Sequence, residues 1–171
     1  MKMSKTKKIC HLALGIALYV VLSATVKIPL VGHIQTDLGY VAFGAYLVIF
    51  GWQATIVGVI GCVIESLIFS GWFPIGWAAG QAFIGLMCGL WYRYSDRKPN
   101  PYKTVTRVAA TMLAVFLGVG LIKTAIECGL YSIPFEIKFA KNSVAAVADA
   151  IPMVLGVFVG ERLKKQFIKA E

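Results

Sequence analysis

Apolar residues fall in six blocks along this chain, at about residues 9–28, 38–50, 53–70, 74–92, 104–129 and 138–162. A helix needs about 20 mostly apolar residues to cross roughly 30 Å of hydrocarbon. The pattern therefore predicts an all-α integral membrane protein, with six transmembrane helices in one compact bundle over residues 1–171. Breaks between the blocks have local causes. Lys27 and Pro29 end the first, because proline disfavours helix in the residue before it and donates no backbone hydrogen bond. Gly51, Trp52 and Gln53 turn the chain after a short second span, and SGWFPIG (residues 70–76) turns it again. RYSDRKPNPYKTVTR (residues 93–107) is the only long polar loop. Residues 29–37, with His33, Gln35, Thr36 and Asp37, are too polar for lipid and must sit at the surface or line a cavity. Thr36 or Asp37 is placed to cap the second span.

Helical spacing then sorts the side chains by face. On the first span Ala13, Ala17, Val20 and Ala24 form a small-residue stripe that lets another helix come close, either inside the bundle or from a partner. Gly58, Gly61 and Glu65 share a face of the third span; Trp77, Gln81 and Ile84 share one on the fourth, where Gly85 and Gly89 allow close packing. Phe116, Gly120, Lys123 and Glu127 line up on the fifth, and Asn142, Ala146, Asp149 and Met153 on the sixth, where Pro152 frees a backbone carbonyl. A carboxylate within a span is costly unless it faces protein or water, so Glu65 and Asp149 are functional candidates.

Composition closes off other classes. With 58% hydrophobic and 15% charged residues and a mean hydropathy of +0.76, the chain is too apolar for an ordinary soluble domain. The run 9–26 is longer than a signal-peptide core and lacks a small-x-small cleavage site, so it reads as a retained helix. A net charge of +9 would suit nucleic acid, but the basic residues lie between spans and the partner they imply is the bilayer. Of 17 Lys and Arg, 13 fall in the N-terminal run, the 93–107 loop and the tail, which assigns both termini to the cytoplasm. Lys27, Lys123, Lys138 and Lys141 remain at the outer ends.

Counting depth from the cytoplasmic side puts His33, Gln35, Asp37, Glu65, Trp72, Trp77, Gln81, Lys123, Glu127, Lys141, Asn142 and Asp149 in the outer half or at the outer surface. That convergence predicts an outward-facing pocket with aromatic walls and polar anchors. Trp72, Trp77 and Tyr40 suit stacking on a flat heteroaromatic ring, and Glu65 or Asp149 suits two N–H donors on its edge. Lys123, Lys138 or Lys141 suits a carboxylate or phosphate instead.

No Gly-rich phosphate loop, GxSxG or HExxH motif is present, and the four cysteines have no CxxC spacing. The expectation is no enzyme, no cofactor, no metal and no disulfide. Two rivals stand beside a binding subunit. One is a stand-alone proton- or sodium-coupled transporter, with Asp149 or Glu127 carrying the ion; the other, weaker one is a small membrane enzyme.

The six short spans, the basic N-terminus, Ala13xxxAla17, the loop after the first span and the run DLGYVAFGAYLVIFGWQATIVGVIGCVIESLI with its Trp/Pro/Gly turn resemble the S component of an energy-coupling factor (ECF) transporter. Within that group the region of the second to fourth spans is similar to the flavin and hydroxymethylpyrimidine types. This resemblance implies a multi-pass protein of a prokaryotic plasma membrane that binds a vitamin-like molecule beneath the first loop. It also implies docking on a transmembrane coupling subunit driven by two cytoplasmic ATPases, with Ala13 and Ala17 as the docking face.

Overall fold

The computed structural model describes residues 4–25, 27–29, 35–97 and 101–169. Their elements, in chain order, are α1 (Lys5–Thr25), β1 (Lys27–Pro29), β2 (Gln35–Asp37), α2 (Gly39–Phe50), α3 (Thr55–Ser70), α4 (Ile75–Arg97), α5 (Lys103–Val115), α6 (Thr124–Tyr131) and α7 (Phe135–Lys169). A 3-10 turn, Gly51–Ala54, joins α2 to α3, and a π-helical segment, Phe116–Lys123, joins α5 to α6. The fold is all-α apart from the β1–β2 ribbon.

Four runs are long and apolar enough to cross a bilayer: Lys5–Thr25, Gly39–Ser70, Lys103–Tyr131 and Phe135–Gln166. The second is divided at Gly51, whose φ of 64° is a left-handed conformation that glycine takes without steric cost.

Helix α2 is the centre of the core. Tyr40, Phe43, Leu47 and Val48 are each at most 2% exposed. Helix α7 crosses it where glycine takes the place of a side chain on both partners. A Cβ at Gly160 would lie 2.7 Å from the Ala45 carbonyl oxygen, and Cβ atoms at Gly44 and Gly156 would overlap the Met153 and Val41 carbonyl oxygens. Lipid tails are as apolar as leucine, so close van der Waals contact rather than hydrophobic burial holds such a crossing together. Gly85 and Gly89 do the same for α4, seating it against Thr55 and Trp52 at the α2–α3 turn.

On α1 the buried residues are Gly15, Tyr19 and Ser23, while Ala13, Ala17 and Ala24 are exposed. The two sets occupy opposite faces, so the small stripe does not pack inside the bundle. Leu14, Leu18 and Val21 share this outward exposure, as do Val144, Val147, Ile151, Leu155 and Phe158 on α7.

In three places the local structure departs from the sequence pattern. The polar stretch after α1 pairs its ends as an antiparallel ribbon, Lys27 opposite Asp37 and Pro29 opposite Gln35, instead of forming an irregular loop. Helix α7 extends beyond 138–162 at both ends, and α4 runs on to Arg97 rather than stopping near Tyr92. A charge cluster accounts for the α4 extension. Asp96 pairs with Lys103, Arg107 and, at 2.9 Å, Lys164. Arg107, only 3% exposed, also meets Glu161 at 3.1 Å and lies 5.3 Å from the centre of the Tyr92 ring. Helices α4, α5 and α7 are thereby tied at one end of the bundle. The start of α1 is at this end too, with the His11 ring 6.0 Å from Phe50. The third departure is the π segment, which bears on the site and is described there.

Asp96 lies past the apolar part of α4. Burial pushes its carboxyl up, but hydrogen bonds from Lys103 and Lys164 and the Arg107 charge outweigh this and hold it below the ordinary 3.8. A carboxylate depressed in the folded state stabilises that state at neutral pH, and the contribution disappears as pH falls below about 4 through the folded value. Asp96→Asn is expected to lower the melting temperature of the detergent-solubilised protein at pH 7 and to flatten its decline in acid. A variant whose profile follows the wild type throughout would exclude this role.

Candidate functional site

The other end of the bundle holds a cavity of about 400 Å³ walled by α1, α2, α3, α4, α6 and α7, with Asp37 of β2 and Lys123 of the π segment. Its first wall is built from the ribbon inward. Ser23, on the buried stripe of α1, donates to Asp37 Oδ1 at 2.8 Å, and the same oxygen accepts from the Gly39 amide at 3.0 Å. Asp37 thus ties α1 to the first residue of α2, but the capping position is Leu38, which has no side-chain cap, so neither Thr36 nor Asp37 is the cap that the sequence suggested. Pro152 has no N–H, so the Ala148 carbonyl four residues earlier lacks its helical donor. The Thr36 hydroxyl points there, 3.3 Å from the Ala148 oxygen and 3.2 Å from Asp149 Oδ1. A proline inside α7 therefore creates the acceptor that moors the ribbon, and the mooring brings a polar partner to Asp149, which is 2% exposed. Among the described residues Asp149 has no salt bridge.

The second wall comes from α4. Gln81, 1% exposed, donates through Nε2 to the Tyr40 hydroxyl at 2.7 Å. Trp77, one turn earlier, offers its ring face to Lys123, whose Nζ lies 4.0 Å from the ring centre. Lys123 is 5% exposed and has a full set of partners. It donates to Asn142 Oδ1 at 2.6 Å and lies 3.4 Å from Glu127. Asn142 Nδ2 in turn donates to Thr124 at 2.9 Å and to Glu127 at 3.2 Å. Lys138 approaches the same carboxylate at 3.2 Å. A charge this buried persists only when paired and hydrogen-bonded, and here two lysines share one glutamate with an amide between them.

The π segment sets this third wall. At α-helical spacing Phe116, Gly120, Lys123 and Glu127 would share a face. In the structure Gly120 and Lys123 are buried and Glu127 partly so, whereas Phe116 is 39% exposed and meets Phe139 edge-on at 6.3 Å. The wider π turn takes up extra residues, which rotates Phe116 off the stripe and leaves Lys123 facing in. Gly118 also lets α4 approach at Gly80, a Cβ on either being 2.9 Å from the other's carbonyl oxygen.

Of the residues singled out from sequence, Asp37, Tyr40, Glu65, Trp77, Gln81, Lys123, Glu127, Lys141, Asn142 and Asp149 line this cavity. Trp72 does not. The chain leaves α3 through left-handed Gly71 (φ 67°), and Trp72 projects from the turn with 74% of its surface exposed. His33 and the side chain of Gln35 lie outside the described residues. Lys138, named with Lys123 and Lys141 as a cation for a carboxylate or phosphate, lines it as well, and Tyr19, Cys62, Ser66 and Ser70 line it without having been assigned to it. For Tyr19 a signal existed in its spacing from Gly15 and Ser23, but the alanine stripe drew attention to the opposite face. Cys62 and Ser66 lie four apart on α3 beside Glu65, and small polar residues of that kind also serve as ordinary packing.

The family model for ECF-type riboflavin transporter S components matches residues 3–165. Among curated proteins, a UPF0397 protein of Streptococcus thermophilus is 23% identical over 160 residues, covering 91% of this chain and 88% of the relative. A UPF0397 protein of Phytoplasma australiense is 23% identical over 177 residues, covering 99% and 91%. Among solved structures, the S-component for biotin from an ECF-type ABC transporter superposes with a TM-score of 0.73 at 18% identity, covering 95% of each chain.

Proposed function

This chain belongs to the family of ECF-type riboflavin transporter S components, and from that premise we propose that it binds a heteroaromatic or nucleobase-like vitamin or precursor in the cavity and carries it across the membrane. The observation that carries the reading is the cavity itself. About 400 Å³ at one end of the bundle is furnished with carboxylates, amides, lysines and an indole, in the size range of small-molecule sites. The substrate contacts would come from Asp37, Tyr40, Glu65, Trp77, Gln81 and Asp149 on the acidic and amide walls. Lys123, Glu127, Lys141 and Asn142 would face them. Ring stacking falls to Trp77, since Trp72 lies outside the cavity and Tyr40 is 2% exposed.

The chain crosses the membrane six times in this reading, with both termini cytoplasmic: α1, α2, α3, α4, the α5–π–α6 run and α7. The basic run before α1, the 93–107 loop and the tail then share the inner face, and the cavity opens outward. No ATP-binding loop is present in the sequence, so hydrolysis belongs to partner subunits. A transmembrane coupling subunit would dock on the exposed Ala13 and Ala17.

Mass spectrometry of small molecules co-purified with the detergent-solubilised protein tests the substrate half of this reading. A single heteroaromatic compound, released on denaturation and rebound stoichiometrically, is the expected result. Uptake driven by a proton or sodium gradient in vesicles holding this chain alone would overturn the division of labour with ATPases.

A further inference from the structure

A second cavity, of about 390 Å³, opens at the opposite end of the bundle, where the start of α1, the 3-10 turn after α2, the end of α4 and the tail of α7 meet. Its charges do not balance. Lys8, Arg93, Asp96 and Lys164 line it, and the one carboxylate among them is already engaged, since Asp96 pairs with Lys103, Arg107 and Lys164. Lys8 and Arg93 have no ion pair among the described residues. Lys164 is fixed by two acceptors, the Val48 carbonyl at 3.1 Å and Asp96 Oδ2 at 2.9 Å. An ammonium carries three N–H donors, so one is left for a ligand. Cations from α1, α4 and α7 thus converge on one concave site, with the exposed indole of Trp52 beside them.

Such a site takes an anion, and the surface next to it says which kind. On α4, Leu86 and Leu90 precede Arg93 by seven and three residues, on one helical face, and both are exposed. On α3, Ile56 and Ile60 follow Trp52 at four-residue steps and are exposed too. Gly85 and Gly89 seat these two helices against each other. Each apolar stripe starts at a cavity residue and runs down the outside of the bundle. A soluble anion makes no use of that continuation, whereas a lipid needs a polar headgroup site and an apolar track in just this order.

We infer that this cavity holds the phosphate headgroup of an anionic phospholipid. The Arg93 guanidinium meets the phosphate with its two-pronged fork, Lys8 and Lys164 supply the remaining charge, and Trp52 sits at the level of the glycerol, where indoles favour the membrane interface. The acyl chains lie along the Leu86 and Ile56 stripes. One lipid so bound joins α1, the α2–α3 turn, α4 and α7.

Native mass spectrometry tests this on the full chain, released from detergent micelles doped with equal amounts of phosphatidylglycerol and phosphatidylcholine of the same acyl chains. The readout is the ratio of the two lipids retained. Each Lys or Arg near an anionic headgroup is worth about fivefold in affinity, so the wild type is expected to favour phosphatidylglycerol by about 10-fold or more. Arg93→Gln and Lys8→Gln are each expected to lower the ratio about fivefold. Lys165→Gln, which removes an exposed cation of α7 outside the cavity, is expected to leave it unchanged. Because both lipids compete in one spectrum, partial loss of structure does not imitate loss of the site.

A wild-type ratio near one overturns the inference. So does an equal fall in the Lys165→Gln variant, which would reduce the effect to the general attraction of a basic surface. Displacement of phosphatidylglycerol by excess inorganic phosphate would make the ligand a free anion and overturn the lipid assignment. An unchanged lipid ratio in Arg93→Gln, with loss of partner subunits on purification of the whole transporter, would give the cavity to an acidic protein segment and overturn it as well.

Discussion

Ala17→Trp is expected to abolish substrate uptake in cells while the purified variant binds substrate as the wild type does. Ala13 and Ala17 are exposed on α1, opposite the buried Gly15, Tyr19 and Ser23. An indole at position 17 therefore meets whatever covers α1 from outside, and leaves the cavity, which α1 reaches through Tyr19, untouched. Small residues matter at such a face because membrane helices associate through close backbone approach rather than through the hydrophobic effect. Overpacking a tight contact costs about 1–3 kcal/mol or more, which is about 5- to 150-fold or more in association. The two measurements are uptake of labelled substrate in cells expressing the whole transporter, and equilibrium binding to the isolated chain. Retained uptake would exclude α1 as the docking face, and loss of binding with loss of uptake would mean that the bundle itself had been disturbed.

The largest loss of stability is expected from Gly156→Leu. A Cβ at this position already overlaps the Val41 carbonyl oxygen, and backbone, unlike a side chain, cannot rotate out of the way. Gly44, facing Met153, closes the same crossing from α2. The α2–α7 contact also carries the site indirectly, since Tyr40 is on α2 and Asn142 and Asp149 are on α7. Forcing these helices apart should therefore remove both monodispersity in detergent and substrate binding. Val159→Leu, at a position 43% exposed on the same helix, serves as the control and should change neither. A stable, monodisperse Gly156→Leu protein would show that the crossing yields more readily than its geometry implies.

Periodicity and depth made much of the candidate site legible. Asn142 and Asp149 lie seven apart on one stripe, and Lys123 and Glu127 four apart. Helical geometry alone brings such pairs to one face, and charge asymmetry between loops puts them at one end. Trp72 shows where that method stops. It follows closely on Ser70, which lines the cavity, but the chain passes through left-handed Gly71 between them and leaves the indole exposed. Phe116 shows a second limit, because a π turn changes the angular period and no feature of FLGVGLIK announces it. The alanine stripe on α1 was visible as a pattern, yet its spacing alone did not say whether it faced a neighbour inside the bundle or the outside.

By itself the sequence determined that this chain is an apolar helical protein in which basic segments and a few polar residues alternate with apolar blocks. Those properties are one-dimensional, set by block length, hydropathy and charge order along the chain. Only the tertiary structure decided which helices touch and what each polar atom meets. Thr36 reaches α7 because Pro152 leaves a carbonyl free there, and Tyr40 meets Gln81 because α2 and α4 bring the two side chains to 2.7 Å. Each of these contacts joins residues 41 or more positions apart in sequence. Hydrogen bonds act only over about 3 Å and within a narrow angle, so their partners are settled by how helices pack rather than by residues nearby in the chain.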